Sequence, residues 1–373
     1  MSQNLRSNYI YLLADLKTGD IMEELPLINV SFGQTLNGPT PFTASAPMQT
    51  GHITPGQLVH GFSWDKMQQS NIKPGARLIH VLRDGKPMYS GLLYKAQADP
   101  LSRVMNLSGS DHLSYFDRRR LNKTMNFTGI DQFQIVRDLT DEMQTNTYGD
   151  LGIQVTSGSS GVTRTRKFEG VERWRFGDAL NGLAGQSDGF DYTMKASGNV
   201  ASGIVPTLTL GNRLGQDNRN WVLQLGKNCE SLSYTEDATN MANAYTILGN
   251  GNSDERPTYT AANPGSLNTY PQFDEVRNSE SLEEESANLR TEAYAYLAAY
   301  QTPVRTAVIR IRPDDPDIKF GAINVGDSVR FIASYGWLEF DDIFRIMQMN
   351  ITIDQNGTEN VVVTLTQLDS TVS

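Results

Sequence analysis

Cysteine is nearly absent from this chain of 373 residues, in which Cys229 stands alone. A single thiol cannot form a disulfide within the chain, and it cannot supply the ligands of a cysteine-based zinc site. Long apolar runs are also missing: no stretch reaches the length of a membrane span, about 18 residues, and the polar start lacks the apolar core of a signal peptide. The sequence therefore predicts a globular protein, made in a cytoplasm, whose stability comes from packing.

Positive charge is in deficit. Lys and Arg number 32 against 42 for Asp and Glu, which leaves a formal net charge of -10. This balance lacks the electrostatic signature of a general DNA-binding or RNA-binding protein, because phosphate backbones are repelled on average. Two local basic clusters, Arg118–Arg120 with Lys123 and Arg164–Lys167, therefore indicate only a surface or subunit-contact role.

Recognisable catalytic motifs are absent. The four histidines lack the i, i+4 helical spacing of a zinc protease, and neither a phosphate-binding loop nor a Gly-x-Ser-x-Gly elbow occurs. Adjacent acidic residues are usually solvated rather than paired across a cleft. We therefore predict no enzyme activity and no catalytic, cofactor-binding or metal-binding residue. The groups weighed for these roles are His52, His60, His80 and His112, and the acidic runs Asp314–Asp315, Asp341–Asp342 and Glu283–Glu285.

The two ends of the chain carry strand and hairpin signals. Alternating apolar runs flank Asp84-Gly85, and others flank Asn356-Gly357; both dipeptides favour tight type I′ hairpin turns. Short runs of β-branched and aromatic residues fill the intervening segments, while Gly and Pro exclude a helix from residues 32–60. Both ends are therefore predicted to be β structure.

The middle of the chain has helical periodicity. Apolar residues recur at helical spacing between Gly129 and Thr145, and again from Phe176 to Leu183. A third helix is predicted from Leu282 to Tyr300, with Ser281 and Glu284 forming a capping box. The polar segment 249–275 that precedes it has the composition of a long surface loop.

Two segments far apart in the sequence resemble each other. Ile72–His80 and Ile323–Phe331 each place a short apolar lead before a glycine turn and a strand, and the same order of turns and strands follows for roughly forty residues. Such likeness is also common among unrelated β segments. Two interpretations stay open here: general similarity of β structure, or two related β-barrels that bracket an α+β region.

The predicted fold is mainly β with an α+β middle, in which two related antiparallel β-barrels flank the α+β region. Its parts are an N-terminal β-barrel over residues 1–112, an α+β domain over 113–228 and a second β-barrel over 229–373. The second barrel carries a loop and helix insertion at about 250–302.

Six segments recur in a characteristic order over most of the chain: Tyr9–Ile21 with Glu24–Leu27, the hairpin Arg83–Gly91, Trp174–Leu180, Leu183–Tyr192, Val325–Val329 and Phe344–Ile346. In this order they resemble the tail-tip or baseplate hub proteins of tailed bacteriophages, especially the minor tail proteins of long-tailed phages.

This resemblance implies a structural protein at the virion tail tip, a homotrimer whose two barrels alternate into a pseudo-six-fold ring on a six-fold tail tube. The implied partners are the distal tail protein, the tail tube and tape-measure proteins, and receptor-binding or spike proteins. Viral DNA would pass through the ring without specific binding. Many relatives continue into a C-terminal extension, whereas this sequence ends at Ser373, so adhesion and lysis are expected in other proteins.

An alternative from another class is a tail protein that binds carbohydrate on the host surface. Tryptophan rings offer flat apolar surfaces on which sugars stack. Trp174 opens a predicted helix and Trp221 opens a predicted strand, which favours core positions for those two. The four candidates are Trp64, Trp174, Trp221 and Trp337.

Overall fold

A computed structural model describes residues 7–48, 71–99, 101, 104–146, 148–186, 188–249, 256–279, 286–312, 321–336 and 338–367. Several residues singled out in the sequence lie outside these ranges. They are His52, His60, Trp64, Trp337, Asp314–Asp315, Glu283–Glu285 and the capping box of Ser281 and Glu284.

Seven antiparallel strands form the N-terminal region, as its alternating apolar pattern predicts. Along the sheet they lie in the order β2-β1-β5-β6-β7-β4-β3. The predicted hairpin at Asp84-Gly85 is confirmed: both residues have positive φ, 51° and 77°, as a type I′ turn requires. The strands are Tyr9–Asp15 (β1), Ile21–Glu24 (β2), Ile28–Thr35 (β3), Pro41–Pro47 (β4), Arg77–Arg83 (β5), Lys86–Asp99 (β6) and Val104–Asp111 (β7).

The middle region is α+β, as predicted. Its two longer helices bury the apolar faces that helical spacing indicates, including Leu139 and Met143 on one and Leu180 and Leu183 on the other. The elements are Leu113–Phe116 (α1), Met125–Asp131 (β8), Gln132–Thr145 (α2), Gln154–Val155 (β9), Thr163–Phe168 (β10), Phe176–Ala184 (α3), Asp191–Asn199 (β11) and Gly203–Gly211 (β12).

A small α/β unit follows the next two strands. Leu289, Ala293 and Leu297 of its long helix are buried against a three-stranded sheet. The prediction of a long surface loop over 249–275 is wrong for the described part, because this polar segment pairs its Thr and Tyr residues with a buried strand. The two preceding strands are Asp217–Gln224 (β13) and Cys229–Asp237 (β14). The elements of the unit itself are Ala244–Leu248 (β15), Thr258–Ala262 (β16), Pro264–Leu267 (α4), Asp274–Asn278 (β17) and Ser286–Tyr300 (α5).

Four further strands complete the described chain: Val304–Ile311 (β18), Ser328–Tyr335 (β19), Leu338–Ile353 (β20) and Glu359–Gln367 (β21). The hairpin at Asn356-Gly357 is confirmed, but its predicted type I′ turn is wrong, because only Gly357 of the two has positive φ. Instead the Asp354 carboxylate accepts the backbone N–H groups of Asn356 and Thr358, both at 2.8 Å, and holds a wider turn.

One large sheet joins the two ends of the chain. β3 pairs with β20 over six residues, so that thirteen strands form one hydrogen-bonded sheet and bury one continuous apolar core. The backbones are close here: a Cβ on Gly33 would lie 2.0 Å from the Met349 carbonyl oxygen. Only glycine fits that position without displacing the neighbouring strand.

A buried ion pair ties the middle region to this sheet. The guanidinium of Arg345, on β20, binds the carboxylate of Asp191, on β11, and their side chains are only 16% and 9% exposed. Asn37 Nδ2 also donates to Asp191 Oδ1 at 3.2 Å, and the Leu214 N–H donates to Oδ2 at 2.9 Å. One carboxylate therefore links both ends of the chain to its middle.

A second ion pair links the first strands of the chain to the last. Arg83 donates to the carboxylate of Glu359 through Nε at 2.8 Å and Nη2 at 3.2 Å. The Tyr9 hydroxyl donates to Glu359 Oε1 at 2.7 Å. Burial opposes the charge of Glu359, but hydrogen bonds from Arg83 and Tyr9 outweigh it and hold the pKa below its usual value.

Within the described ranges, no helix combines the length and the apolar character that crossing a bilayer demands.

The Arg345–Asp191 ion pair is expected to contribute strongly to stability. Asp191→Asn should lower the free energy of unfolding by roughly 3–5 kcal/mol, because it leaves the buried Arg345 charge without its partner. Asp341→Asn is the matched control, since Asp341 pairs with Arg330 at the exposed surface and is screened by water. Denaturant unfolding of both variants measures the difference; equal losses would contradict the role of the junction.

Candidate assembly surface

The two similar sequence segments fold into similar turns. Lys73–Ala76 and Asn324–Asp327 each close with a backbone hydrogen bond from the fourth residue to the first, at 3.0 Å and 3.2 Å. The third residue is glycine in both, with φ of 79° at Gly75 and 96° at Gly326. Ile72 and Ile323, which precede the turns, are both buried in the main core.

The likeness continues into the next strands. The Gly75 N–H donates to the Leu93 carbonyl at 2.7 Å, and the Gly326 N–H donates to the Ile346 carbonyl at 2.8 Å. The strand register shifts immediately after Leu93 in one case and immediately after Ile346 in the other. The two segments share a turn, a hydrogen bond and a bulge, which is a closer likeness than β segments have in general. This likeness favours duplication of a three-stranded unit.

The duplicated units are β5-β6-β7 and β19-β20-β21, each an antiparallel meander. They differ in the strand that flanks them: β1 pairs antiparallel with β5, whereas β13 pairs parallel with β19. The two units therefore have the same three-stranded arrangement but pair with different neighbouring strands.

The outward side of five adjacent strands, β21, β20, β3, β4 and β7, carries one charged residue in the positions paired across it: Arg345, which lies opposite Thr366 and is neutralised by its ion pair with Asp191. Strand alternation sends apolar side chains inward to the core and these side chains outward. We call this surface the neutral face. Its members are Val362, Thr364, Thr366, Gln348, Asn350, Thr352, Ser31, Gly33, Thr35, Thr43, Ser45, Asn106 and Ser108.

The neutral face spans both halves of the sheet and is accessible. Thr43 and Asn106 are exposed, and Ser31, Asn350 and Thr364 are partly exposed. Part of it forms a shallow hollow of about 300 Å³. On the same side of the flanking strands, Arg310 lies on β18, and Lys95 and Asp99 lie on β6; Lys95 also lines the hollow. In an acidic protein, this surface is suited to contact without strong attraction or repulsion.

Sequence inspection missed the neutral face. Its signal is the recurrence of Ser, Thr, Asn and Gln at alternate positions of strands from both ends of the chain. That signal becomes visible only when the β3–β20 pairing places those strands side by side.

The two basic clusters are engaged within the chain. Arg118 lies over the Tyr94 ring at 4.7 Å, and Arg119 Nη2 reaches the Met143 carbonyl at 3.4 Å. In the second cluster, Arg166 lies over Phe168 at 5.8 Å and Lys167 pairs with Glu169 at 2.6 Å. These contacts favour a structural role over a nucleic-acid patch.

The described tryptophans pack against other side chains. Trp221 contacts the main core, and Trp174 packs edge-on against Phe168 while its N–H donates to Glu172. Trp174 also lines a cleft of about 520 Å³ between α3 and α5, together with Arg277 and Tyr296.

The groups weighed for catalysis are dispersed. Asp341 pairs with Arg330, and the neighbouring Asp342 accepts from Gln367 Nε2 at 3.0 Å, so the two carboxylates have separate partners. His80 and His112 are buried. Within the described ranges, no group of three His, Cys, Asp or Glu side chains is placed to hold a metal ion.

The duplicated turns predict unequal responses to the same substitution. Gly75→Ala introduces only left-handed backbone strain, about 1–2 kcal/mol, because no atom lies within 4 Å of the added Cβ. Gly326→Ala adds a clash, since that Cβ would lie 2.5 Å from the Leu214 carbonyl oxygen. Thermal unfolding should therefore show a larger loss for Gly326→Ala; the reverse order would contradict this packing.

No family model matches this chain, and no curated protein matches it. Solved structures do. A tail protein from Neisseria meningitidis MC58 aligns with a TM-score of 0.61 at 13% identity, over 96% of both chains. The 43 kDa tail protein of prophage MuSo2 from Shewanella oneidensis aligns with a TM-score of 0.59 at 14% identity, over 96% of this chain and 98% of that one.

A third similar structure is the prophage tail protein gp18 from Listeria monocytogenes EGD-e. Its TM-score is 0.57 at 11% identity, over 97% of this chain and 96% of that one. The resemblance inferred from the sequence is thus confirmed for the fold, which is mainly β with an α+β middle. This chain has the fold of phage tail proteins.

Proposed function

We propose that this chain is a non-enzymatic structural component of a phage tail tip, a homotrimeric hub that joins the tail tube and distal tail protein to the host-contacting parts. The observation that carries the proposal is the duplicated meander, whose two copies share a turn, a hydrogen bond and a bulge within one sheet. The fold shared with tail proteins supports it.

A hub of this kind must match the symmetry of the tube on which it docks. A trimer contacts a six-fold tube evenly only if each subunit offers two similar surfaces. The meanders β5-β6-β7 and β19-β20-β21 supply two such surfaces. The pairing of β3 with β20 fixes their spacing and orientation within each subunit, so three subunits would present six similar units in a ring.

We assign the neutral face to the wall of the channel in that ring. Viral DNA must pass such a wall without being held, and Ser, Thr, Asn and Gln side chains offer it neither the fixed cations that retain phosphates nor a strong repulsive field. The net charge of -10 then lies on other surfaces. Passage of DNA would accordingly be transient and independent of sequence.

Residues 1–112 and 229–373 would supply the ring, and residues 113–228 would lie beside it. Tape-measure, receptor-binding and spike proteins would contact the same particle at the tail tip of the virion. The carbohydrate-binding alternative stays a prediction, and the packing of Trp174 and Trp221 favours the structural role.

The oligomeric state tests the hub proposal. Light scattering of the purified protein over a concentration series should approach three times 41.4 kDa, about 124 kDa, because the ring needs three subunits. A mass that stays at 41.4 kDa at every concentration, and also in the presence of purified tail tubes, would contradict the proposal.

Added charge tests the channel assignment on a trimer whose mass is already known. Thr43→Lys with Asn350→Lys should make the trimer retain a short linear DNA duplex at low salt, with retention that falls steeply as salt rises. Val171→Lys with Tyr335→Lys is the matched control, since both residues are strongly exposed elsewhere. Equal retention by both variants, or loss of the trimer only in the first, would contradict the assignment.

A further inference from the structure

A cluster of buried polar side chains lies where the N-terminal strands meet the middle region. His80 on β5 and Ser90 on β6 are directly opposite each other in the strand pairing, and both are buried. The His112 ring, which is fully buried just before α1, reaches the Ser90 carbonyl through Nδ1 at 3.2 Å.

Three atoms of this cluster lack hydrogen-bond partners among the described residues: His80 Nδ1, Ser90 Oγ and His112 Nε2. Because the Ser90 carbonyl can only accept, His112 carries its proton on Nδ1, and Nε2 is left as a bare lone pair. Unpartnered polar atoms are costly in an interior, and they are usually satisfied by water or have a role.

The cluster adjoins the contact between two parts of the chain. Two residues further along each strand, Leu78 and Leu92 are paired with each other, so they lie on the same side of the sheet as His80 and Ser90. Together with Ala14 they form an apolar patch that packs against Tyr115 and Leu151 of the middle region. The polar cluster therefore extends the surface on which the middle region rests.

We propose that His80, Ser90 and His112 form an acid-sensitive latch, which holds the middle region on the N-terminal strands at neutral pH and releases it when both imidazoles take up protons. This inference does not rest on the hub proposal. In acid, two imidazolium cations would face each other without a carboxylate partner.

The surrounding charges cannot compensate for those cations. The Asp111 carboxylate accepts from the backbone N–H groups of Thr40 and Leu113, both at 3.0 Å, and is directed to them. The Tyr94 and Tyr115 rings pack against the adjoining apolar patch. Arg118 and Arg119, which lie over these two rings, add further positive charge.

The protonation energetics have the required sign. Burial lowers the pKa of His80 to about 4, and burial together with the charge of His80 lowers the pKa of His112 to about 3. An imidazole exposed by release would have a pKa near 6.5. Stability that depends on neutral histidine is therefore complete above about pH 6.5 and declines as the pH falls below it.

Burial has the opposite effect on Asp111, whose pKa it raises to about 7 despite the donated hydrogen bonds. A carboxyl group with a raised pKa stabilises the folded state in acid and loses that contribution as the pH rises toward 7. Release in acid therefore depends on the histidines, and Asp111 acts against it.

Hydrogen exchange at pH 7 and pH 5, corrected for the intrinsic rates, tests the latch in the full chain. Peptides from β1, β5, β6 and α1 should lose protection in acid, with a contribution of about 20-fold from each imidazole that Asp111 partly offsets, while β20 and β21 keep theirs. His80→Gln should reduce that response by about 20-fold, and Tyr335→Gln, a control at an exposed residue of β19, should leave it unchanged.

His80→Leu provides a second variant, since its apolar side chain suits the neighbouring Leu78 and Leu92 patch if His80→Gln folds poorly. It should diminish the acid response in the same way. An acid response equal to that of the unsubstituted chain in the folded variants, or a loss of protection spread evenly over all strands, would overturn the proposal.

Discussion

The pairing of β3 with β20 is the constraint on which the rest of the structure depends. A sheet edge must satisfy its backbone hydrogen bonds, and each half of this chain would otherwise expose one. Joining the two edges makes one sheet and one core from segments more than 300 residues apart. It also sets the two meanders at a fixed spacing, which is the property that a pseudo-symmetric ring needs.

Two ion pairs, Arg345–Asp191 and Arg83–Glu359, reinforce this joined sheet. Asp191 receives Arg345 from β20, Asn37 from the N-terminal strands and the backbone of Leu214, so three parts of the chain meet at one carboxylate. Charges at such junctions are paired within the chain. The members of the neutral face are uncharged side chains. This separation of paired charges from an uncharged surface makes the neutral face suitable as a channel wall.

Local patterns could be predicted from the sequence, and non-local contacts could not. Asp84-Gly85 determines its turn by its own backbone preferences, and the apolar spacing of α2 is contained within one segment. The β16 strand was missed because its polar residues become a strand only beside β15. The partners of Arg345 and Arg83 lie 154 and 276 residues away, a separation that no periodicity reveals.

In the proposed ring, the two meanders of each chain would give six similar units from three subunits. Averaged electron-microscope images of the assembled particle, viewed along its axis, test this most directly. The account predicts six similar lobes around an open centre, with alternate lobes differing in detail as β5-β6-β7 differs from β19-β20-β21. Three lobes, or a particle without a central opening, would contradict it.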